Sequence, residues 1–143
     1  MALSFLSPLH KASRQISVYL ESQTRELGVS DSEGHLLSYL RSYAPAPVGE
    51  LVRVFGMKQS TLTSMLDRLE GAGLIRREVN PGDRRSFMIH ISDGGLEVAE
   101  RLNRILETFE EKVREQVSSE AVEGFRAVMA AVEEVTRVNL RDR

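Results

Sequence analysis

The chain has 143 residues, of which 41% are hydrophobic and 28% charged, which is the composition of one ordinary globular domain with its own core. Nineteen Lys and Arg against 21 Asp and Glu give a net charge of −2, which excludes a surface that is cationic all over. The absence of Cys excludes disulfides, thiolate metal sites and thiol-based redox sensing, and no apolar run suits a membrane span or a secretory signal, so we expect a cytoplasmic protein.

The charges are distributed unevenly along the chain. Residues 53–90 carry seven Lys and Arg against four Asp and Glu, whereas residues 1–52 and 91–143 are both net acidic. A basic middle between two acidic flanks favours one binding surface that is framed by scaffold helices.

The N-terminal part of the chain predicts two helices. Apolar side chains recur at spacings of three and four over residues 6–27, which predicts a long helix that packs on another helix and ends at Gly28. Asp31 and Ser32 are candidate caps for a second helix, which Pro45 stops.

Two shorter helices follow in the basic middle. One runs from Pro47 to Gly56, and after a short turn the next runs from Gln59 to about Ala72 and is closed by Gly73. On a helical wheel this last helix has an apolar side and, roughly 160° away, a side of small polar residues. The apolar side holds Leu62, Met65, Leu66 and Leu69, and the polar side holds Ser60, Thr63, Ser64 and Asp67.

The hydrophobic period then changes to that of strands. Residues 74–79 and 87–91, joined by a turn at 80–83, predict two short strands and a hairpin. Ser92 can cap a long helix that reaches residue 117, and a last helix begins near Ser119 and reaches residue 138.

The order of these elements is that of a winged helix-turn-helix: a short helix, a tight turn, a second helix and a basic hairpin. Small hydroxyl and amide side chains on the second helix can approach base edges, where they both donate and accept hydrogen bonds. The hairpin can bind phosphates or enter a narrow minor groove through Arg76, Arg77, Arg84 and Arg85. The alternatives that remain open are a solvated helix face and a charged turn without a binding role.

Four motifs lie in residues 48–95, namely Asp-Arg-Leu-Glu at 67–70, Gly-Leu-Ile at 73–75, Asp-Arg-Arg at 83–85 and Ile-Ser-x-x-Gly at 91–95. In their order and spacing they resemble the MarR (multiple antibiotic resistance regulator) family of transcription regulators. The resemblance implies a mainly α fold with a small β-hairpin wing. It further implies that residues 31–91 form a winged helix-turn-helix DNA-binding domain, and that residues 1–30 and 92–143 form a helical dimerisation region.

The resemblance also implies roles for individual residues. The start of the recognition helix, residues 59–64, would read a DNA groove. Asp83 and Arg85 match the family's signature pair in the wing, and in the family the arginine at the position of Arg85 pairs with the acid at the position of Asp67, which braces the wing. The residues expected to contact DNA are Lys58, Gln59, Ser60, Thr61, Thr63, Ser64, Arg68, Arg77, Arg84 and Arg85.

Two helix starts depart from the family pattern. Lys58 stands where the family usually has a capping Ser or Thr before the recognition helix, and Pro47 stands at the similar place before the preceding helix. Lysine cannot accept a hydrogen bond from the free helix N–H groups, although it can meet a phosphate. Ser92 replaces the family's usual Thr and should be an equivalent cap.

Members of the family often respond to small aromatic or amphipathic ligands in a cleft between the dimerisation helices and the winged domain. The resemblance places His10, Arg14, Tyr39 and Tyr43 there, where they could receive an anionic phenolic compound. Packing and surface roles are the alternative for each of these residues.

No pattern in the chain predicts catalysis. The histidines at positions 10, 35 and 90 do not have the spacing of metal ligands, and no phosphate loop, dinucleotide fingerprint or G-x-S-x-G motif occurs. We therefore expect no enzyme activity, no metal and no cofactor.

The resemblance to the MarR family implies a homodimer that binds a pseudo-palindromic operator in double-stranded DNA, usually as a repressor in this family, with a small-molecule effector and no membrane partner. A dimer is expected because the apolar seams of residues 6–27 and 96–138 are too extensive for the winged module alone to bury. The alternative is a winged-helix module that docks a protein and binds no nucleic acid.

Overall fold

The computed structural model describes residues 3–140, which contain six helices and three strands. The helices are α1 (Leu6–Glu26), α2 (Asp31–Tyr43), α3 (Val48–Phe55), α4 (Gln59–Gly71), α5 (Asp93–Arg114) and α6 (Ser119–Thr136). The strands are β1 (Ala46–Pro47), β2 (Ile75–Asn80) and β3 (Asp83–Ile91). The predicted fold class, mainly helical with a small β wing, is confirmed.

The strands form one antiparallel sheet in which β3 lies between β1 and β2. Ile75 of β2 pairs with Ile91 of β3, and Ala46 of β1 pairs with Ile89. β1 was not predicted, because a strand of two residues is too short to show an alternating pattern. Its pairing ties the start of α3 to the central strand of the wing.

The core of the winged unit lies between α2, α3, α4 and the sheet. The predicted apolar side of α4 is buried there through Leu62, Leu66 and Leu69, while Met65 is half-buried. Each fully buried Leu contributes about 1.5–3 kcal/mol relative to an exposed one. Burial of one side of α4 leaves its opposite, polar side in solvent.

The helix starts are capped in different ways. Ser30 caps α2 in a capping box with Glu33, so neither of the residues 31–32 is the cap, because the chain is still extended at Ser30 and turns helical at the next residue. Lys58 before α4 and Pro47 before α3 make no side-chain cap. This confirms the expectation that these two helix starts lack the family's usual capping residue.

The start of α5 is fixed against the end of α4. Ser92 caps α5 as predicted by accepting a hydrogen bond from Gly95 N at 3.0 Å, and its hydroxyl donates to Gly73 O at 2.6 Å. Gly95 lies so close to the Leu74 carbonyl oxygen that a Cβ would collide with it. The wing and the start of α5 are therefore held in close contact.

The terminal helices leave much of their apolar surface exposed. Among the described residues, α1 buries only Leu20 and Thr24, and α6 buries none. The exposed apolar side chains on α1, α5, α6 and the segments after α5 and α6 include Ile16, Val113, Val117, Phe125, Val128, Val135 and Val138. One chain alone therefore does not cover the seams of residues 6–27 and 96–138.

Within residues 3–140, no helix has the length and apolar character that a membrane span requires. In the same part of the chain, no His, Asp and Glu side chains cluster in a way that could hold a metal ion.

Candidate nucleic-acid interface

The polar side of α4 is exposed along the helix. Five of the residues expected to read DNA have exposed side chains there: Gln59, Ser60, Thr61, Thr63 and Ser64. The Ser64 hydroxyl donates to Ser60 O at 3.2 Å within the helix, while its lone pairs remain available to other donors. Lys58 is exposed beside the uncapped N-terminus of α4, so a cation and free N–H groups lie together.

The tip of the wing is cationic and exposed. Arg84 and Arg85 follow the turn between β2 and β3, and the Arg85 side chain is 91% exposed. Asp83 Oδ1 accepts hydrogen bonds from Arg85 N at 3.0 Å and from Arg85 Nε at 3.2 Å. Asp83 therefore shapes the start of β3 and holds Arg85 within the wing.

The helix and the wing share one cleft of about 340 Å³. Gln59 and Thr63 of α4 line it from one side, and Arg77, Arg85 and Phe87 of the wing line it from the other. Side chains from the two segments singled out in the sequence therefore face a common space.

The brace between the wing and α4 differs from the expected pair of Arg85 with Asp67. Arg77 Nη2 lies 2.7 Å from Asp67 Oδ1 and 2.8 Å from Glu70 Oε1, and Arg77 Nε lies 3.0 Å from the same Glu70 oxygen. Arg77 occupies this position because it stands opposite Ile89 in the sheet, on the face that packs on α4, whereas Arg85 lies further out near the turn. The group of Arg77, Asp67 and Glu70 is called the Arg77 clamp below.

The Arg77 clamp stabilises the charged forms of Glu70 and Arg77. Hydrogen bonds from the Arg77 backbone N–H and guanidinium hold the pKa of Glu70 below its ordinary value. The hydrogen bond to Glu70 in turn raises the pKa of Arg77. Arg77, which we expected to contact DNA, has its side chain 25% exposed and committed to two carboxylates.

Arg68, also expected to contact DNA, is directed toward α2. Its guanidinium contacts Glu33 Oε2, and the Glu33 side chain is only 7% exposed. Burial alone would raise the pKa of Glu33, but hydrogen bonds from Ser30 and Arg68 outweigh it, and the pKa is lowered. Among the cations of the expected DNA-contacting set, Lys58 and Arg84 form no ion pair within the described part of the chain.

The four residues expected to form an effector cleft lie in three different surroundings. Tyr39 is buried, donates to Glu50 Oε2 at 3.1 Å and stacks on Tyr43 at 4.6 Å between ring centroids, because the inner face of α2 turns both rings toward α3. Arg14 lines a separate groove of about 740 Å³ between α1, the start of α2 and α4. His10 is exposed near the start of α1.

Glu33 and Glu70, which pair with Arg68 and Arg77, were not among the predicted site residues. For Glu33 a signal existed, since a Ser followed three residues later by a Glu is the pattern of a capping box. For Glu70 the pattern along the chain gave no sign of its partner, because the contact joins a helix to a strand.

Three comparisons relate the chain to known proteins. Residues 29–87 match the model of the MarR family. The chain is 34% identical over 135 residues to the HTH-type transcriptional regulator PecS of Dickeya dadantii (strain 3937), covering 90% of this chain and 79% of that protein. It is 26% identical over 98 residues to the multiple antibiotic resistance protein MarR of Escherichia coli (strain K12), covering 68% of each.

Solved structures share the fold. The crystal structure of the S. aureus MepR–DNA complex superimposes with a TM-score of 0.81 at 19% identity, covering 94% of this chain and 99% of that one. A mutant of MarR from E. coli in complex with operator DNA has a TM-score of 0.77 at 21% identity, covering 88% of this chain and 91% of that one. At such identities the likeness establishes the architecture alone.

Proposed function

The chain belongs to the MarR family, whose members are transcription regulators and not enzymes, and from this premise we propose that it represses transcription as a homodimer bound to a pseudo-palindromic operator. PecS and MarR, which it resembles in sequence, are named as regulators, and MepR and MarR have been solved with DNA. A protein with this role acts in the compartment that holds the DNA, so a cytoplasmic location is part of the proposal.

The observation that carries the proposal is the common surface of α4 and the wing. Gln59 and Thr63 of α4 line the same cleft as Arg85 of the wing. A major groove admits one α-helix, and a hairpin beside that helix reaches the adjacent backbone or minor groove. One rigid unit can thus read bases with α4 and hold phosphates with the wing.

The exposure of the side chains divides the roles within this surface. The small polar residues at 59–64 are suited to base edges, because they are exposed and able to donate and accept. Lys58, Arg84 and Arg85 are suited to phosphates, because all three are exposed and the first also stands at an uncapped helix N-terminus. The carboxylates of α2 and α4 engage the other two arginines of the expected set.

The exposed apolar faces of the terminal helices support a dimer. We propose that residues 1–30 and 92–143 form the dimerisation region and residues 31–91 the DNA-binding unit. A second copy related by a two-fold axis would cover Ile16, Val113 and Phe125, which are all exposed in the single chain.

Release from DNA by a small aromatic or amphipathic effector is a further part of the proposal. Of the four residues expected to bind it, Arg14 is suitably placed, because it lines a groove that also includes Arg68 of α4. The two tyrosines are engaged in the core and are not assigned to the effector.

The experiment is selection from a pool of genomic DNA fragments by the purified protein, followed by sequencing of the bound fraction. We expect enrichment of fragments that share an inverted repeat. The double variant Arg84→Ala/Arg85→Ala should lose this enrichment. Arg76→Ala is the matched control, because Arg76 lies in the same wing and is exposed but pairs with Glu78 on the outer face.

A wild-type protein that enriches no fragment above random DNA would overturn the proposal and favour a protein-docking module. Equal loss in the double variant and in Arg76→Ala would contradict the role given to the tip of the wing.

A further inference from the structure

Glu33 is a carboxylate at the start of α2 with both oxygens engaged. Oε1 accepts a hydrogen bond from Ser30 N at 2.9 Å, and Oε2 accepts the guanidinium of Arg68 in α4. The Glu33 side chain is 7% exposed, whereas that of Arg68 is 53% exposed. A buried carboxylate tolerates the loss of a partner poorly, because its charge would then stay desolvated and unpaired.

The same turn of α2 contacts two terminal helices. A Cβ on Gly34 would lie 3.0 Å from Leu102 Cδ2 of α5 and 3.7 Å from Thr24 Cγ2 of α1. Thr24 is itself buried, and its carbonyl accepts a hydrogen bond from Val29 N at 3.3 Å. One helical turn therefore contacts α1 and α5 directly and holds α4 through an ion pair.

We propose that Glu33 is a positioning residue that fixes α4 against α1 and α5 through Arg68. The inference rests on the proposed function, because it concerns two copies of α4 held by one dimerisation region. In such a dimer the pair of Glu33 with Arg68 sets the distance and angle between the two recognition helices. Arg68 then determines which spacing of the half-sites the dimer prefers, and it does not bind phosphate.

The Arg77 clamp provides a useful contrast, because it joins α4 to the wing, whereas the pair of Glu33 with Arg68 joins α4 to α2. Loss of that clamp loosens the reading surface itself. Loss of the Glu33 contact leaves the surface of α4 and the wing intact and loosens α4 at the turn of α2 that contacts α1 and α5. The two effects separate when the spacing of the half-sites is varied.

The test measures binding of Glu33→Gln and Arg68→Lys to duplexes that carry the selected half-sites at the preferred spacing and with one base pair inserted or removed. One base pair turns a half-site by about 35° around the DNA axis. The control is Glu21→Gln, which removes a carboxylate from an exposed ion pair on α1 whose atoms are 3.3 Å apart. Thermal unfolding and sedimentation check whether each variant is folded and dimeric.

We expect the preference of the wild type for one spacing to fall by about tenfold in both variants and to stay unchanged in Glu21→Gln. The salt dependence of Arg68→Lys and of Arg68→Gln should match that of the wild type. Arg68→Lys keeps the test open where Glu33→Gln fails to fold, because lysine leaves a cation within reach of the buried carboxylate.

Three outcomes would overturn the inference. One is equal weakening at every spacing, and another is a shallower salt slope in Arg68→Gln, which would make Arg68 a phosphate contact. The third is binding by the variants that cannot be distinguished from the wild type. A wild type that binds none of the duplexes overturns the proposed function as well, so the two failures are distinguishable.

Discussion

Arg77 donates to Glu70 both from its backbone N–H, at 3.0 Å from Oε2, and from its guanidinium, at 2.8 Å from Oε1. A strand of the wing and the recognition helix therefore share one carboxylate. The same guanidinium contacts Asp67, one helical turn earlier, and its Cζ lies 5.9 Å from the centroid of the Phe87 ring. These contacts make the wing and α4 a single rigid surface.

Removal of the clamp should reduce stability more than removal of a wing cation. Arg77→Ala removes a guanidinium that pairs with two partly exposed carboxylates, and we expect the free energy of unfolding to fall by about 1 kcal/mol. Arg84→Ala, at an exposed position without an ion pair, should change it by less than about 0.5 kcal/mol. Urea unfolding measures both, and equal effects of the two substitutions would contradict the clamp.

Acid should weaken the fold through Glu33 and Glu70. The pKa of each is lower in the folded chain than its ordinary value of 4.5. At a pH between these two values, each carboxylate therefore binds fewer protons in the folded chain than in the unfolded chain. Their stabilisation is complete above pH 4.5 and is lost as the pH falls through the lower folded-state values. Denaturant unfolding between pH 3 and pH 7 is expected to show this loss.

Two variants check the origin of the acid effect. Glu70→Gln should make the decline of stability below pH 4.5 shallower, because glutamine takes up no proton. Arg77→Ala, which removes the donor, should have the same consequence. A decline as steep as that of the wild type in both variants would assign the acid sensitivity to other groups.

Close contact at the start of α5 predicts that Gly95→Ala is strongly destabilising. A Cβ there would collide with the Leu74 carbonyl oxygen and lie 2.9 Å from Ile91 Cγ1, so the backbone must shift, at a cost of about 3 kcal/mol. Gly71→Ala is the matched control, because no neighbouring atom lies within 4 Å of its Cβ position. The midpoint temperature of thermal unfolding should fall strongly for Gly95→Ala and should not fall for Gly71→Ala. Similar midpoint temperatures for the two variants would refute the contact.

A charge on the exposed apolar face should prevent dimerisation. Phe125→Glu places a carboxylate where the side chain is 56% exposed in the single chain and is proposed to be buried by a second copy. We expect sedimentation to show a monomer and DNA affinity to fall about 100-fold or more, because both half-sites are no longer bound together. Val79→Glu, in the wing, should remain a dimer, and a dimeric Phe125→Glu would contradict the proposed interface.

The sequence predicted those parts of the fold whose signal is local. The spacing of Leu62, Leu66 and Leu69 identified both sides of α4, and the shortage of hydrogen-bond acceptors at Lys58 anticipated its uncapped start. Partners across the fold were not predictable in this way. Arg77 and not Arg85 reaches Asp67 because of the register of β2 and β3, and register is fixed by the whole sheet.

Because contacts across the fold are not predictable from a local pattern, the four residues expected to bind an effector together proved to lie in different surroundings. Tyr39 and Tyr43 share one face of α2, and only the position of α3 decides that this face is in the core. A pattern along one helix reveals which residues lie together but not what covers them.

The most direct measurement is the affinity for a selected operator fragment as a function of salt concentration, with fluorescence anisotropy as the readout of binding. Three phosphate-binding cations in each of two protomers predict a slope of the logarithm of affinity against the logarithm of salt of roughly −5. Arg84→Ala should make this slope shallower by about 2, because one contact is lost in each protomer. A slope near zero, or no binding even at low salt, would contradict the account of α4 and the wing as a DNA-binding surface.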